Sequence, residues 1–496
     1  MKYDYIVIGA GISGIASAII LAKHGRRVAL IEKSDRIGPL VRGFYRKGIF
    51  FDTGFHHSGS IGRGEIGDIF FHYLGLSDGL KQIPCNPECF DIVRFADTRF
   101  EFRFPTGYDR IRERLHGVFP DDKHTVDEYL EAIRKQCASL PYLNLDADFG
   151  TLEAIKNAHG PTLKEFLDQH TDNNILKETL SVHCLLNGVP PDEQSLINYA
   201  NIVGPYYESV HRIHGGGGAI IKEFENALAK AGVDVFCGRA VAEILVSPAG
   251  ILQGVRLRDG MVMEAGGCIS TMHPLQLLEV VPESFFRPAY VTRLRSLEET
   301  VSAFILYGEI APDLEFLSGS TLYILPPRDT DYFNLDAPLE KRPFNISSSS
   351  NQDRDASRRG FFAIWPASPD ETGYWKDSFS GDRTEGYRIF KEDIADRMIR
   401  HIESACEELR GKIKPVDCST PLTLRDYANS PFGSMYGVKH KTEQYNPSPA
   451  TRLPGLLLAG QSIIAPGLLG AIISGFVACG HILGHDYLRR ELKKCS

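Results

Sequence analysis

The chain opens on an apolar run at residues 5–8, Tyr-Ile-Val-Ile, whose β-branched and aromatic side chains suit a strand covered on both faces. A turn rich in glycine follows, then an almost wholly apolar stretch over 12–23 closed by Gly25, and a second apolar run over 27–31. This order predicts a strand, a buried helix and a second, parallel strand. Ile66, Ile69, Phe70 and Tyr73 recur at helical spacing and predict a helix over 66–76. From 83 to 104 short aromatic runs alternate with polar residues, as in a small antiparallel sheet, and 121–186 is helix-rich, with Tyr129, Ile133 and Cys137 on one face. The opening pattern returns after the glycines at 215–218. An amphipathic helix carrying Ile220, Ile221, Phe224 and Leu228 leads into strands at 233–237 and 240–246, a hairpin of 251–257 with 261–263, and a return strand at 268–270. Strands over 301–307, 322–325 and 361–365 and a helix over 391–409 come next, while the polar, serine- and proline-rich residues 326–360 predict a surface excursion. A buried strand over 456–459 and a glycine-rich, uncharged helix over 470–482 end the pattern.

At 496 residues the chain exceeds one ordinary core, so more than one domain is expected. The two returns of the βα pattern predict a discontinuous domain from 1–75, 205–275 and 415–496, interrupted by a second domain from 76–204 and 276–414. A net charge of −8 speaks against nonspecific nucleic-acid binding. Ten cysteines are sparse for this length, and Cys85-x-x-x-Cys89 lacks further ligands nearby, so they are expected to be reduced thiols in a cytoplasmic protein. Residues 6–22 resemble a signal-peptide core in hydropathy alone; Asp4 breaks the basic flank such a segment needs. The run 456–483 is interrupted by Gln461, Pro466, His481 and several glycines, which argues against a spanning helix.

Gly9, Gly11 and Gly14 form G-x-G-x-x-G between the first strand and helix, the context in which that pattern carries meaning. Gly9 permits the turn, Gly11 lets the backbone approach a pyrophosphate, and Gly14 lets helix pack closely on strand. Glu32 ends the second strand eighteen residues beyond Gly14, close to the place of an acid that holds a ribose hydroxyl. The helix N-terminus favours the intervening phosphates.

Four stretches carry a resemblance. They are Gly9-Ala10-Gly11-Ile12-Ser13-Gly14 with Glu32; Phe51-Asp52-Thr53-Gly54-Phe55-His56; residues 214–218; and residues 455–461 with 467–475. On these the chain resembles the flavin-dependent phytoene desaturases, carotenoid isomerases and retinol saturases, nearest the saturase and isomerase branch. The resemblance implies an α/β fold, with a Rossmann-like FAD-binding domain of the glutathione-reductase type and an inserted α+β substrate domain. It implies FAD held by Gly9, Gly11, Ile12, Ser13 and Gly14 at the pyrophosphate, by Glu32 and Lys33 at the adenosine ribose, and by Gly38 in the following loop. Val241 would meet adenine, Gly460 and Gln461 the ribityl chain, and Leu469, Gly470 and Ala471 the pyrimidine edge. Two departures stand out: Pro39 follows Gly38 where many relatives have a second glycine, and Gln461 stands where a carboxylate is common.

The implied reaction is hydride transfer between flavin and a carbon–carbon bond of a hydrophobic isoprenoid or polyene, as desaturation, saturation or isomerisation. A lipid-stored substrate further implies contact with a membrane surface. Candidates for a proton donor or acceptor are His56, which lies in a family stretch and ranks first, then His57, Tyr206, Tyr207, Glu208, His211 and His214. His211-x-x-His214 lacks the further ligands of a metal site, and the glycines at 215–218 follow no clear strand, so no separate nicotinamide domain is expected. A flavin amine oxidase and a non-enzymatic escort of prenylated proteins are the rival readings on the same scaffold. The intact glycines and Glu32 oppose the escort. Substrate identity, direction, redox partner and oligomeric state stay open.

Overall fold

The computed structural model describes residues 1–150, 160–311, 314, 317, 319–327, 333–349 and 359–496. Two sheets organise it. The first has the strand order Asp234–Phe236, Val28–Ile31, Lys2–Ile8, Val262–Ser270, Leu252–Leu257, Val241–Val246, with Leu456–Leu458 also paired to Val262–Ser270. Its inner pairs are parallel: Ile6 sits opposite Ala29 on one side and Cys268 on the other, and Cys268 opposite Leu456. Three helices, Ile12–Lys23, Gly216–Ala231 and Gly467–Leu483, cover one face with a core that includes Ile15, Ile19, Phe224 and Phe476. Small residues make this close layer possible. A Cβ on Gly475 would lie 2.9 Å from the Ser13 carbonyl oxygen and 3.1 Å from Ala16 Cβ.

The second sheet runs Ile413–Ser419, Ser302–Ile310, Arg359–Ala367, Phe344–Ser348, Thr321–Leu325, Asp91–Phe95, Glu101–Phe104. Only the pair of Thr321–Leu325 with Asp91–Phe95 is parallel. Alternation splits its residues cleanly. Leu306, Ile346, Ala363 and Trp365 point to the long helix Glu385–Ala405, whose Ile394, Met398 and Ile402 complete that core. The opposite face is shared. At the Asp91–Phe95 end Val93 and Phe95 pack under helices that include Lys123–Ala138 and Leu196–Glu208, whereas Ile305, Tyr307 and Phe362 meet Ile49 and Phe51 of the short hairpin Phe44–Arg46, Ile49–Phe51.

The opening helix spans the predicted residues 12–23, and most predicted strands lie within a few residues of their places. Three expectations are corrected. Residues 344–348, inside the expected polar excursion, form an interior strand, because Phe344 and Ile346 supply an alternating apolar face that the surrounding serines obscure. The glycines at 215–218 do follow a strand, Val210–Ile213, which belongs to a separate three-stranded antiparallel sheet with Ser58–Gly59 and Gln82–Pro84. Finally, the expected boundaries shift. Strand Ile413–Ser419 belongs to the second sheet, while helices Pro274–Val280 and Pro288–Arg295 bury Leu277, Val280 and Val291 against the first.

Candidate functional site

The glycine turn divides its tasks by position. Gly9 has φ +97°, and a Cβ there would lie 2.3 Å from Thr271 Oγ1. A Cβ on Gly14 would lie 1.9 Å from the Gly9 carbonyl oxygen, so helix and strand touch at that point. At Gly11, the helix N-cap, a Cβ would meet no atom within 4 Å. The first turn has no capping side chain and no acid, leaving its N–H groups and positive dipole end directed into this open space. Ile12 and Ser13 are buried behind it.

Glu32 is buried, and both its carboxylate oxygens are held by main chain: Oε2 accepts from Ala10 N–H at 2.7 Å and Oε1 from Ser34 N–H at 2.8 Å. Each oxygen has a second lone pair available to a hydroxyl. Gly238 N–H to Ser34 O, 2.7 Å, and Arg239 N–H to Glu32 O, 2.9 Å, tie this acid to the turn before Val241, and Lys33 projects to the surface. Gly38, at φ +61°, donates to Ala10 O at 2.8 Å, so the Gly38-Pro39 loop folds back onto the glycine turn.

The second helix N-terminus comes from the far end of the chain. Gly467–Leu483 begins after Pro466, again with no capping side chain and no acid in its first turn. Ser13 Oγ donates to the Ala471 carbonyl at 2.8 Å, so the two first turns meet. Gly460, at φ +120°, donates its N–H to buried Ser474 Oγ at 2.8 Å, and His440 Nε2 lies 2.8 Å from the Gln461 carbonyl. Gln461, Gly470 and Ala471 keep accessible surface, with Leu469 buried beneath. Open space at Gly11, an acid fixed at a strand end and two uncapped helix N-termini fit the phosphates, ribose and ring edge of FAD.

Next to this groove lies an internal cleft. His56, His57, Tyr206 and Tyr436 are surrounded by protein yet retain accessible surface. A Cβ on Gly437 would lie 3.6 Å from Gln461 Nε2, so Tyr436 stands beside the Gln461 turn. The stretch before His56 works as a staple. Asp52 Oδ1 accepts from Gly217 N–H at 3.1 Å, at the start of helix Gly216–Ala231, and Gly54 N–H donates to Leu40 O at 2.8 Å. Beyond the staple the His56 ring stacks on Phe362 of the second sheet, with centroids 3.6 Å apart. Burial holds the His56 pKa well below the usual histidine value, reinforced by His57 and Arg212. Burial also lowers His57 to about 4, with Asp91 opposing. The Nδ1 atoms of both rings are buried without a partner, and the Tyr206 hydroxyl donates to the His57 carbonyl at 3.4 Å.

The other candidates go elsewhere. Tyr207 belongs to a buried hydroxyl cluster, 2.9 Å from Tyr129 Oη. Glu208 and His214 are exposed. His211 turns toward Ser209, its Nδ1 3.3 Å from Oγ, and no group of three metal-ligating side chains forms among the described residues. Sequence reasoning did not single out Arg212, Phe362 or Tyr436; each reaches the cleft through sheet register or a loop, for which a linear pattern has no signature. An open groove of about 510 Å³ lined by Lys23, His24, Tyr73 and Glu491 sits at the C-terminal end of the first helix, away from both N-termini. None of the ten cysteines is in a disulfide, and no described helix is long and apolar enough to cross a membrane.

Residues 12–319 match the family model described as flavin containing amine oxidoreductase. The chain is 26% identical to all-trans-retinol 13,14-reductase of Rattus norvegicus over 97% of its own length and 86% of the rat protein. It is 24% identical to prolycopene isomerase 1, chloroplastic, of an Oncidium hybrid cultivar, over 98% of the chain and 84% of that protein. Among solved structures, an oxidoreductase from Methanosarcina mazei superposes with a TM-score of 0.68 at 16% identity, covering 96% of this chain and 99% of that one.

Proposed function

We propose, from the premise that this chain belongs to the flavin containing amine oxidoreductase family, that it is an FAD enzyme transferring hydride to or from a carbon–carbon bond of a lipophilic polyene. Its likeness along nearly full length to a retinol 13,14-reductase and a prolycopene isomerase supports the choice of a polyene over an amine. The observation that carries the reading is the cleft itself. It adjoins the cofactor groove at Tyr436 and Gln461, and the His56 ring within it stacks on Phe362.

Bound FAD supplies a two-electron carrier that gives or takes hydride. The chain's own residues do the rest. We assign the pyrophosphate to the Gly9, Gly11, Ile12, Ser13 and Gly14 turn, the adenosine ribose to Glu32 with Lys33 and Gly38 nearby, and adenine to the main chain at Val241. Gly460 and Gln461 take the ribityl chain, and Leu469, Gly470 and Ala471 the ring edge. Hydride transfer to a double bond leaves one proton to be delivered, and removal of hydride leaves one to be accepted. We take His56 and His57, both neutral near pH 7 because burial disfavours their charged forms, as the candidates to hold that proton.

We extend the reading to the surface through which a lipophilic substrate would arrive. Tyr374, Phe379 and Tyr427 are exposed and adjoin one another: Ser380 Oγ lies 2.8 Å from the Tyr427 hydroxyl, and Arg425 covers Phe379 at 5.0 Å. Phe432 is exposed as well. Exposed aromatics of this kind favour the lipid headgroup region. Helix Pro421–Ala428, which carries Tyr427, packs Leu424 against the cluster containing Phe362, the ring on which His56 stacks.

The test is anaerobic single turnover. Reduced, FAD-loaded protein mixed with all-trans-retinol is expected to regain its visible flavin band while the product gains two hydrogens by mass. Protein that stays colourless with FAD, or that oxidises amines with peroxide release and leaves polyenes untouched, would overturn the proposal.

A further inference from the structure

The cleft-facing side of the second sheet changes character along its width. In register across the strands stand Ile305 and Ile364, then Asn345, then Tyr323; one pair along, Tyr307 and Phe362 give way to Ser347, Thr321 and Asp91. This face of the sheet is therefore apolar at one end and polar at the other, with Ile364 and Asn345 keeping accessible surface. Such a division suits a ligand with a greasy body and one polar terminus, not a hydrocarbon that is apolar throughout.

At the polar end lies Arg212, which makes no ion pair among the described residues. Arg212 Nη1 donates to Ser348 Oγ and Nη2 to Ser347 Oγ, each at 3.0 Å. Those hydroxyls spend their own protons on main-chain carbonyls, Ser347 on Ser320 O at 3.2 Å and Ser348 on Leu317 O at 3.0 Å. The guanidinium is thus oriented by two hydroxyls and bonded to no carboxylate among the described residues. Its Nε is buried without a partner. Asp91, on the same sheet face and fully buried, is bonded through Oδ2 to His183 Nε2 at 3.0 Å and keeps Oδ1 without a hydrogen-bond partner.

Register puts Arg212 beside the histidines. Ser58 pairs with His211, which sets His57 next to Arg212, and Ser347 pairs with Phe362, under the His56 ring. Arg212 is partly buried, and a partly desolvated positive charge favours an anion beside it. A single guanidinium matches a monoanion more closely than a diphosphate. Guanidinium and carboxylate are complementary in shape as well as charge.

Resting on the polyene reading above, we infer that Arg212 is the head-group anchor of the cleft and that the preferred ligand is an isoprenoid or polyene bearing a terminal carboxylate. Ser347 and Ser348 hold the guanidinium in position, and the apolar body extends along Phe362, Ile364 and Ile305 toward the Gln461 turn.

The test compares all-trans-retinoate with all-trans-retinol on the FAD-loaded protein, following perturbation of the visible flavin band. Wild type should bind the carboxylate about tenfold or more tightly than the alcohol. In Arg212→Met that ratio should fall toward one, with Arg212→Lys retaining part of it. Ser347→Ala, a milder change, should lower the ratio if Arg212→Met does not fold. Equal binding of the two ligands by wild type, or an unchanged ratio in either variant, overturns the inference. Double-bond reduction of retinol, measured by mass in the same preparation, separates the two proposals. Turnover with a ratio of one sinks the anchor alone, and a high ratio with no polyene turnover sinks the polyene reaction alone.

Discussion

Gly11 and Gly14 lie within one helical turn and face opposite constraints. Gly14 is needed by the protein, since any side chain would strike the Gly9 carbonyl; Gly11 has φ −72° and no neighbour within 4 Å of a Cβ, which fits the close approach of a ligand. Their substitutions should separate folding from cofactor binding. Gly11→Val is expected to fold with a melting temperature near that of the cofactor-free wild type and to purify colourless, because its branched side chain fills the pyrophosphate space. Gly14→Ala should lose about 3 kcal/mol of stability through overpacking. Thermal melts and the flavin absorbance of each variant check both outcomes, and a fully flavin-loaded Gly11→Val contradicts the assignment.

At the scale of elements, the informative fact is that helices Ile12–Lys23 and Gly467–Leu483 meet at their first turns, although Ser13 and Ala471 lie at opposite ends of the chain. Ser474 contributes from inside the second helix by accepting the Gly460 N–H, which fixes the turn leading to Gln461. Replacing it with alanine leaves a buried N–H without an acceptor, a cost of about 1–3 kcal/mol. Ser474→Ala is therefore expected to weaken FAD affinity more than it lowers the melting temperature of the cofactor-free protein. Equilibrium dialysis against FAD, with melts of both forms, measures the difference. Equal losses would mean that Ser474 serves packing only.

At the scale of the whole molecule, Tyr374, Phe379, Tyr427 and Phe432 are exposed, and the helix that carries Tyr427 packs Leu424 against the cluster of Phe362, on which His56 stacks. The protein is expected to co-sediment with phospholipid vesicles, and Phe379→Ser with Phe432→Ser to reduce that binding several-fold at about 1–3 kcal/mol per buried aromatic ring. Turnover of retinol delivered in vesicles should fall with it, while turnover in detergent micelles should not. Vesicle binding unaffected by the double substitution would remove the aromatic group from the entry route.

The linear sequence was sufficient for the opening βαβ unit, because its determinants are local: apolar periodicity, glycines at a turn, and an acid at a strand end all lie within thirty-two residues. It was also sufficient to match the final strand and helix to the same layer, since uncharged, glycine-rich segments have no stable place except against another buried surface. Tertiary structure alone decided that residues 344–348 are interior, because two apolar residues among serines become a buried strand only when a neighbouring sheet supplies both edges. It alone separated His57 and Tyr206 from Tyr207 and His211, which alternate to different surroundings over a few residues. It also brought Arg212 to Ser347 and Ser348 with no carboxylate bonded to it among the described residues, an arrangement in space that no spacing along a chain records.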